Sequence, residues 1–244
     1  MQLSIAQSDE RVTIGSFRDF YAFEQHVVTC RAKRGLDIVP QWYDQPVFYF
    51  SNHRSLVGHD TEVYAPAGCA ELDFELELGL VIGKPGRDIS EEDAWDHVLG
   101  FTIINDLSAR DLQRQEMAVG LGPAKGKDFA TAVGPGILPI EALRDAIDDE
   151  GQLSLNMSCE VNGKRLSENN AKTMHFSWPQ IIAHASRDAD LMTGDLLGSG
   201  TVGTGCILEL GPENTGGWLK PGDIIDMQID RLGTLTTRIV DRPA

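Results

Sequence analysis

Acidic residues alternate along Leu72-Asp73-Phe74-Glu75-Leu76-Glu77-Leu78, and here this sequence first concentrates groups able to do chemistry. On an extended strand residues i and i+2 share a face, so Glu75 and Glu77 point together, roughly 7 Å apart along the backbone. The other face holds Leu72, Phe74, Leu76 and Leu78, which claim the core. Like charges side by side are unfavourable unless a cation or solvent separates them. The plain reading is a solvated strand face with Asp73 as its third member. Asp106 argues for a site: it ends an apolar strand containing Phe101, Ile103 and Ile104 and opens a polar run through Arg110 and Asp111. A helix N-cap is the competing role for that carboxylate. Three hard oxygen ligands without His or Cys favour Mg2+, Mn2+ or Ca2+ over Zn2+. Lys127, set among glycines in GPAKGKDFATAVGP, is either a surface charge or a cation that neutralises a substrate carboxylate or an enolate.

Other catalytic signatures are missing. Gly198-Ser199-Gly200-Thr201-Val202-Gly203 matches GxGxxG literally, but lacks the strand before it and the helix after it that dinucleotide binding requires. The sequence contains no GxSxG, HExxH or Walker A pattern. The 37 acidic and 21 basic residues give a formal net charge of −16, a poor basis for binding nucleic acid or an acidic membrane surface. Cys30, Cys69, Cys159 and Cys206 stand far apart, with neither zinc-finger spacing nor a disulfide framework, and read as reduced thiols. The opening residues do not resemble a secretory signal, and no apolar run approaches the roughly 20 residues that span a bilayer. A cytoplasmic protein is expected.

The positioning elements read mostly as strands. Residues 1–15 suggest an edge strand or hairpin, and residues 16–33 a helix with Ser16 as N-cap. Strands are expected at 72–82 and 98–106, and a short helix capped by Ser90–Asp93 between them. A helix follows at 108–116, then a Gly- and Pro-rich loop at 120–136 of the kind that carries function. Further strands are expected at 153–162, 204–210, 223–230 and 234–241, with a helix at 176–186. Regular βαβ alternation is absent, which excludes a doubly wound sheet and favours an α+β, predominantly β fold, mostly antiparallel, with peripheral helices. The length suits one structural unit, divisible into an N-terminal segment, 1–64, and a catalytic part, 65–244.

Five blocks, LDFELELGLVIGK, INDLSARDLQ, KGKDFATAVGP, TGDLLGSGTVG and WLKPGDIIDMQIDRLGTLTTRIV, resemble the fumarylacetoacetate hydrolase family in its order, over about residues 65–241. The resemblance implies a mixed β-roll, a divalent cation (Mg2+ first, Mn2+ or Ca2+ as alternatives), a homodimer and a small anionic oxo-acid substrate. It places the metal carboxylates on Glu75, Glu77 and Asp106, and substrate-binding or charge-stabilising groups on Arg110, Gln113, Lys127 and Thr201. The segment Asp19-Phe20-Tyr21 followed by His26 resembles the part of the family that supplies a fourth metal carboxylate, Asp19, and a catalytic histidine, His26. That histidine pairs in the family with a glutamate matching Glu209. Tyr21 and Arg34 match further substrate contacts. Two departures stand out: Met117 occupies the place of a family tyrosine, and the large N-terminal domain of the eukaryotic enzymes has no counterpart among these residues.

The chemistry implied is hydrolysis of a carbon–carbon bond in an acylpyruvate or 1,3-diketo acid. His26 would activate water, Glu209 would fix its tautomer, and Lys127 and Arg110 would neutralise developing charge. The alternative is a decarboxylase, isomerase or hydratase acting on an oxo-diacid through the same metal site. A non-catalytic metal- or oxo-acid-binding protein is the reading from outside the enzymes.

Overall fold

A computed structural model describes residues 1–243 of the chain. Its frame is a seven-stranded sheet in the order Phe48–Phe50, Ser16–Phe20, Asp195–Gly198, Leu76–Ile82, Val98–Asn105, Thr131–Pro139, Leu56–Val57. A five-stranded sheet packs beside it in the order Lys164–Asn170, Asn156–Val161, Ile224–Ile229, Gly233–Ile239, Thr61–Val63. Pairing is mostly antiparallel; Ser16–Phe20, Leu56–Val57 and Thr61–Val63 join in parallel to Asp195–Gly198, Thr131–Pro139 and Gly233–Ile239. The helices α1 (Glu24–Ala32), α2 (Arg110–Ala118), α3 (Trp178–Ser186), α4 (Ile207–Leu210) and α5 (Pro212–Thr215) are short and peripheral. The mixed, predominantly β architecture expected from the sequence is the one observed. Among the described residues no helix is long and apolar enough to cross a membrane.

Both faces of the seven-stranded sheet are covered, which is why Leu76–Ile82 is apolar almost throughout. Leu78, Leu80, Ile82, Ile103 and Leu197 join the main core, with Trp178 and Ile181 of α3 and Met227 and Leu235 of the second sheet. Phe17, Val81, Ile104, Val133 and Leu196 form a smaller core on the opposite face. A hairpin, Gln2–Ser4 with Arg11–Thr13, covers it through Leu3 and Val12.

Several elements differ from expectation. Residues 16–33 are not one helix: Ser16–Phe20 is a strand wedged between two others, and α1 begins only at Glu24. The segment's local pattern fits a helix, but pairing on both edges of a short run outweighs intrinsic propensity. Ser16 is therefore no N-cap; its hydroxyl donates to Asp195 Oδ1 at 2.7 Å. The stretch 204–210 contains α4 rather than a strand. The loop at 120–136 gives way at Thr131 to a strand that pairs with Val98–Asn105. The strand expected at 72–82 is interrupted at Phe74 and Glu75, so Asp73 pairs instead with Ser108 in a separate two-stranded ribbon.

Asp73 is buried, not solvated. Its carboxylate accepts from Arg110 Nε at 2.9 Å and from the first amides of α4, Ile207 N at 2.7 Å and Leu208 N at 3.0 Å. A carboxylate distant in sequence thus caps α4 in place of a local side chain. Asp73→Asn leaves Arg110 short of a buried counter-charge. The expected cost is about 3 kcal/mol, a fall in Tm of roughly 6–12 °C in a thermal melt.

Candidate active site

Asp19, Glu77 and Gly198 lie on three adjacent strands, with Gly198 opposite Asp19 on one side and Gly79 on the other. Alternation places Asp19 on the face of Phe17, Glu77 on that of Val81 and Gly198 on that of Leu196. The carboxylates therefore sit where the smaller apolar core runs out. Gly198 lets them meet across the middle strand. A Cβ there would run into the Asp19 carboxylate and stand 3.2 Å from Glu77 Oε2. Asp106 arrives from the end of Val98–Asn105, and its amide donates to Glu75 O at 3.2 Å. Oxygens of Asp19, Glu77 and Asp106 lie within 4.8 Å of one another, and all three residues are buried.

The partners of these oxygens show what the cluster lacks. Asp106 accepts from Tyr49 Oη at 2.7 Å, Lys127 Nζ at 2.7 Å and Thr131 Oγ1 at 2.9 Å. Thr201 Oγ1 donates weakly to Glu77 Oε1, at 3.4 Å. Among the described residues no other group donates to the buried Asp19 Oδ1 or Glu77 Oε2, and the two carboxyls lie within hydrogen-bond reach of each other. Burial and the charge of Asp106 push the Asp19 carboxyl up to about 8. Burial, then Asp19 and Asp106, push Glu77 well above the usual carboxylate range. These two oxygens in an all-carboxylate pocket fit a hard divalent cation, which would supply the missing positive charge.

Glu75 stands beside this cluster rather than within it. Arg110 Nη2 donates to its Oε1 at 2.7 Å, and Lys127 holds its other oxygen. Burial opposes its ionisation, but Lys127 and Arg110 outweigh that and hold the carboxyl far below its usual range. Arg110 also donates to Gln113 Oε1 at 3.1 Å, so its guanidinium is largely engaged by protein.

On the other wall His26, from α1, and Glu209, from α4, meet at 2.6 Å between Nδ1 and Oε1, both buried. Burial pulls the imidazole down, yet the hydrogen bonds of Cys206 and Glu209 dominate and push it up to about 10. Glu209 Oε2 also accepts from Thr204 N at 3.0 Å, which fixes the carboxylate's orientation. Tyr21 packs edge-on against His26, with ring centroids 5.5 Å apart.

One cavity of about 400 Å3 joins the two walls. It is lined by Asp19, Tyr21, His26, Arg34, Glu75, Glu77, Arg110, Gln113, Lys127 and Thr201. Asp106 and Glu209, the remaining residues expected at a site, lie buried directly behind it. Arg34 Nη1 reaches Met117 Sδ at 3.7 Å along the rim. Tyr49, on the aromatic run Pro46–Phe50, is a lining residue that sequence reasoning missed. Only its register opposite Asp19 brings its hydroxyl to Asp106. A larger open depression, about 540 Å3, lies over the five-stranded sheet, but its charged residues Arg165, Glu168, Asp230 and Arg231 are exposed.

Residues 16–240 match the fumarylacetoacetate (FAA) hydrolase C-terminal family. The chain belongs to the fumarylacetoacetate hydrolase family. It is 34% identical over 198 residues to the mitochondrial oxaloacetate tautomerase of Xenopus laevis, a match covering 80% of this chain and 58% of that one. It is 32% identical over 253 residues to the fumarylacetoacetase of Bos taurus, covering 83% of this chain and 60% of that one. The chain thus spans about three-fifths of the length of these relatives. Its fold matches the fumarylpyruvate hydrolase of Pseudomonas aeruginosa, solved in complex with Mn2+ and pyruvate. The TM-score is 0.79 at 24% identity, covering 99% of this chain and 96% of that one. A fumarylacetoacetase and an oxaloacetate tautomerase are thus both among its relatives.

Asp19 is raised from 3.8 in the unfolded chain to about 8 in the folded one, so the folded state binds more protons between those values. Its contribution to stability is complete below pH 3.8 and lost as pH rises through about 8. Metal-free protein is therefore expected to lose Tm from pH 5.5 to 8.5, and Mg2+ or Mn2+ to restore it. Asp19→Asn removes one buried like charge. It should raise the metal-free Tm at pH 8.5 by a few degrees, roughly 1–2 kcal/mol, and abolish the metal-dependent rise.

Proposed function

We propose that this chain is a divalent-metal-dependent hydrolase. It would cleave a carbon–carbon bond in a small anionic acylpyruvate or 1,3-diketo acid of fumarylacetoacetate or fumarylpyruvate type. The observation that carries the reading is the His26–Glu209 pair, which faces the carboxylate cluster across one cavity. Mg2+ is the proposed ion, with Mn2+ or Ca2+ as alternatives, because every donor in the cluster is a carboxylate oxygen. A homodimer is proposed from the family resemblance.

Asp19, Glu77 and Asp106 would hold the ion, with Glu75 beside them. When bound, it supplies Lewis acidity for the oxygens of an oxo-acid and for an enolate. The remaining steps belong to the side chains. His26, made neutral, takes a proton from water through its free nitrogen while Glu209 holds the other. The oxygen adds to the acyl carbonyl carbon, and the bond to the neighbouring carbon breaks with its electron pair passing into an enolate. Lys127, already between Glu75 and Asp106, places a cation beside that charge, and the enolate carbon then takes the proton that His26 removed from water. Arg34, Gln113, Tyr21 and Thr201 line the space left for the acyl group.

EDTA-stripped protein, assayed with and without Mg2+ or Mn2+ on acylpyruvates and oxaloacetate, tests the reading. Metal-restored release of a carboxylic acid with pyruvate or acetoacetate is expected, and His26→Ala should lower it at least ~100-fold. Cys206 and Glu209 raise the His26 imidazole to about 10, so its neutral, proton-accepting form grows as pH rises toward that value. Hydrolysis should therefore accelerate as pH rises toward that value, and Glu209→Gln should move this rising limb to lower pH while cutting the plateau rate.

A second reading, tautomerisation or another reaction of an oxo-diacid, draws on the 34% identity to an oxaloacetate tautomerase. It needs the metal site and Lys127 but not the dyad as water activator. Oxaloacetate turnover that survives His26→Ala, with acylpyruvates untouched, would replace the hydrolase reading.

A further inference from the structure

Two thiols close on the His26–Glu209 pair, and neither has a part in the chemistry above. Cys30 follows His26 by one helical turn on α1, a spacing that puts both on one face. Cys206 directly precedes α4, three residues before Glu209. Packing of α1 against α4 brings the sets His26–Cys30 and Cys206–Glu209 face to face. Cys30 Sγ lies 3.7 Å from His26 Nδ1 and 3.8 Å from Nε2, and Cys206 Sγ points at Glu209 Oε1 from 3.8 Å.

Both Sγ atoms and one imidazole nitrogen lie within 4.8 Å of one another, and all three residues are buried. Tetrahedral zinc, with Zn–S of about 2.3 Å and Zn–N of about 2.0 Å, sets its ligands roughly 3.5–3.8 Å apart, so small side-chain shifts would suffice. Neither cysteine is in a disulfide. His26 and Cys30 line the cavity, which opens a route for an ion. Buried cysteines often serve only as small apolar residues. Two of them converging with an imidazole on a cavity wall are a donor set of another kind.

We propose that His26, Cys30 and Cys206 form a second metal site, for a soft divalent cation of the Zn2+ or Cd2+ class, whose occupancy switches off the His26–Glu209 pair. Glu209 or a cavity water completes the coordination. The metal occupies the imidazole lone pair that would accept a proton, so a metallated His26 is not a base. Softness keeps the two centres apart: thiolate and imidazole select Zn2+ and Cd2+, whereas the all-oxygen cluster suits Mg2+ or Mn2+. The inhibitory half of the proposal rests on the hydrolase reading; the binding half does not.

The test titrates Cd2+ into the full chain under saturating Mg2+, following the ultraviolet charge-transfer absorption of cadmium–thiolate bonds. One equivalent per chain is expected to saturate the signal. Cys30→Ala and Cys206→Ala should each weaken binding at least ~10-fold, while Cys69→Ala and Asp19→Asn leave it unchanged. No signal in the wild type, or the same signal in the Cys30→Ala/Cys206→Ala double variant, overturns the site. In parallel, stoichiometric Zn2+ should inhibit acylpyruvate hydrolysis reversibly to chelator, and the cysteine variants should need at least ~10-fold more. Hydrolysis unaffected by Zn2+ while Cd2+ binds at the trio overturns the inhibitory half. Cd2+ binding as expected in a protein without acylpyruvate hydrolysis removes the hydrolase reading and leaves the site standing.

Discussion

Burying Asp19, Glu77 and Asp106 within 4.8 Å of one another imposes a like-charge repulsion that the surrounding structure is arranged to offset. Lys127 reaches both Asp106 and Glu75, Tyr49 and Thr131 donate to Asp106, and the Asp19 and Glu77 carboxyls are pushed toward their protonated forms. What remains is a pair of oxygens to which no other group among the described residues donates, with room for one more positive charge. Such a cluster survives only on a stiff frame. Paired strands packed on both faces supply it, and the hydrogen atom that Gly198 has in place of a side chain sets the spacing.

A chain of ion pairs joins this cluster to the opposite wall. Lys127 links Asp106 to Glu75, Arg110 links Glu75 to Asp73, and Asp73 caps α4, which carries Glu209 to His26. Each charged group is buried and matched by its neighbours, so removing one partner strands the next. The dyad and the carboxylates therefore share one support although they stand on different elements.

The protein is acidic overall, at −16, yet Arg31, Arg34, Arg110, Arg114 and Lys127 all line the cavity. Asp19, Glu75 and Glu77 line it too, so the cavity carries both signs, and Arg110 and Lys127 are already paired with carboxylates. The net charge thus says little about the ligand of the cleft.

The alternation of Glu75 and Glu77 with apolar residues and the position of Asp106 at a strand end were legible in the chain itself, because period two and strand termini are local properties. So was the predominance of strands, and with it the fold class. Lys127 stood out there too, set among glycines, and the family resemblance extended the set to His26 and Glu209. The strand at Ser16–Phe20, the short helix α4 and the contact between Tyr49 and Asp106 were not legible, since partners far off in sequence determine each. Pairing on two edges turned a helix-like pattern into a strand, and the Asp73 carboxylate stabilised a helix turn that has no local cap. The sequence by itself thus determined which groups were available and which of them stood near one another along the chain. Only the tertiary structure decided that Asp19 and Glu77 would meet over Gly198, that Glu75 would turn to cations, and that two distant cysteines would close on His26. Those outcomes depend on burial and long-range pairing, which no local spacing encodes.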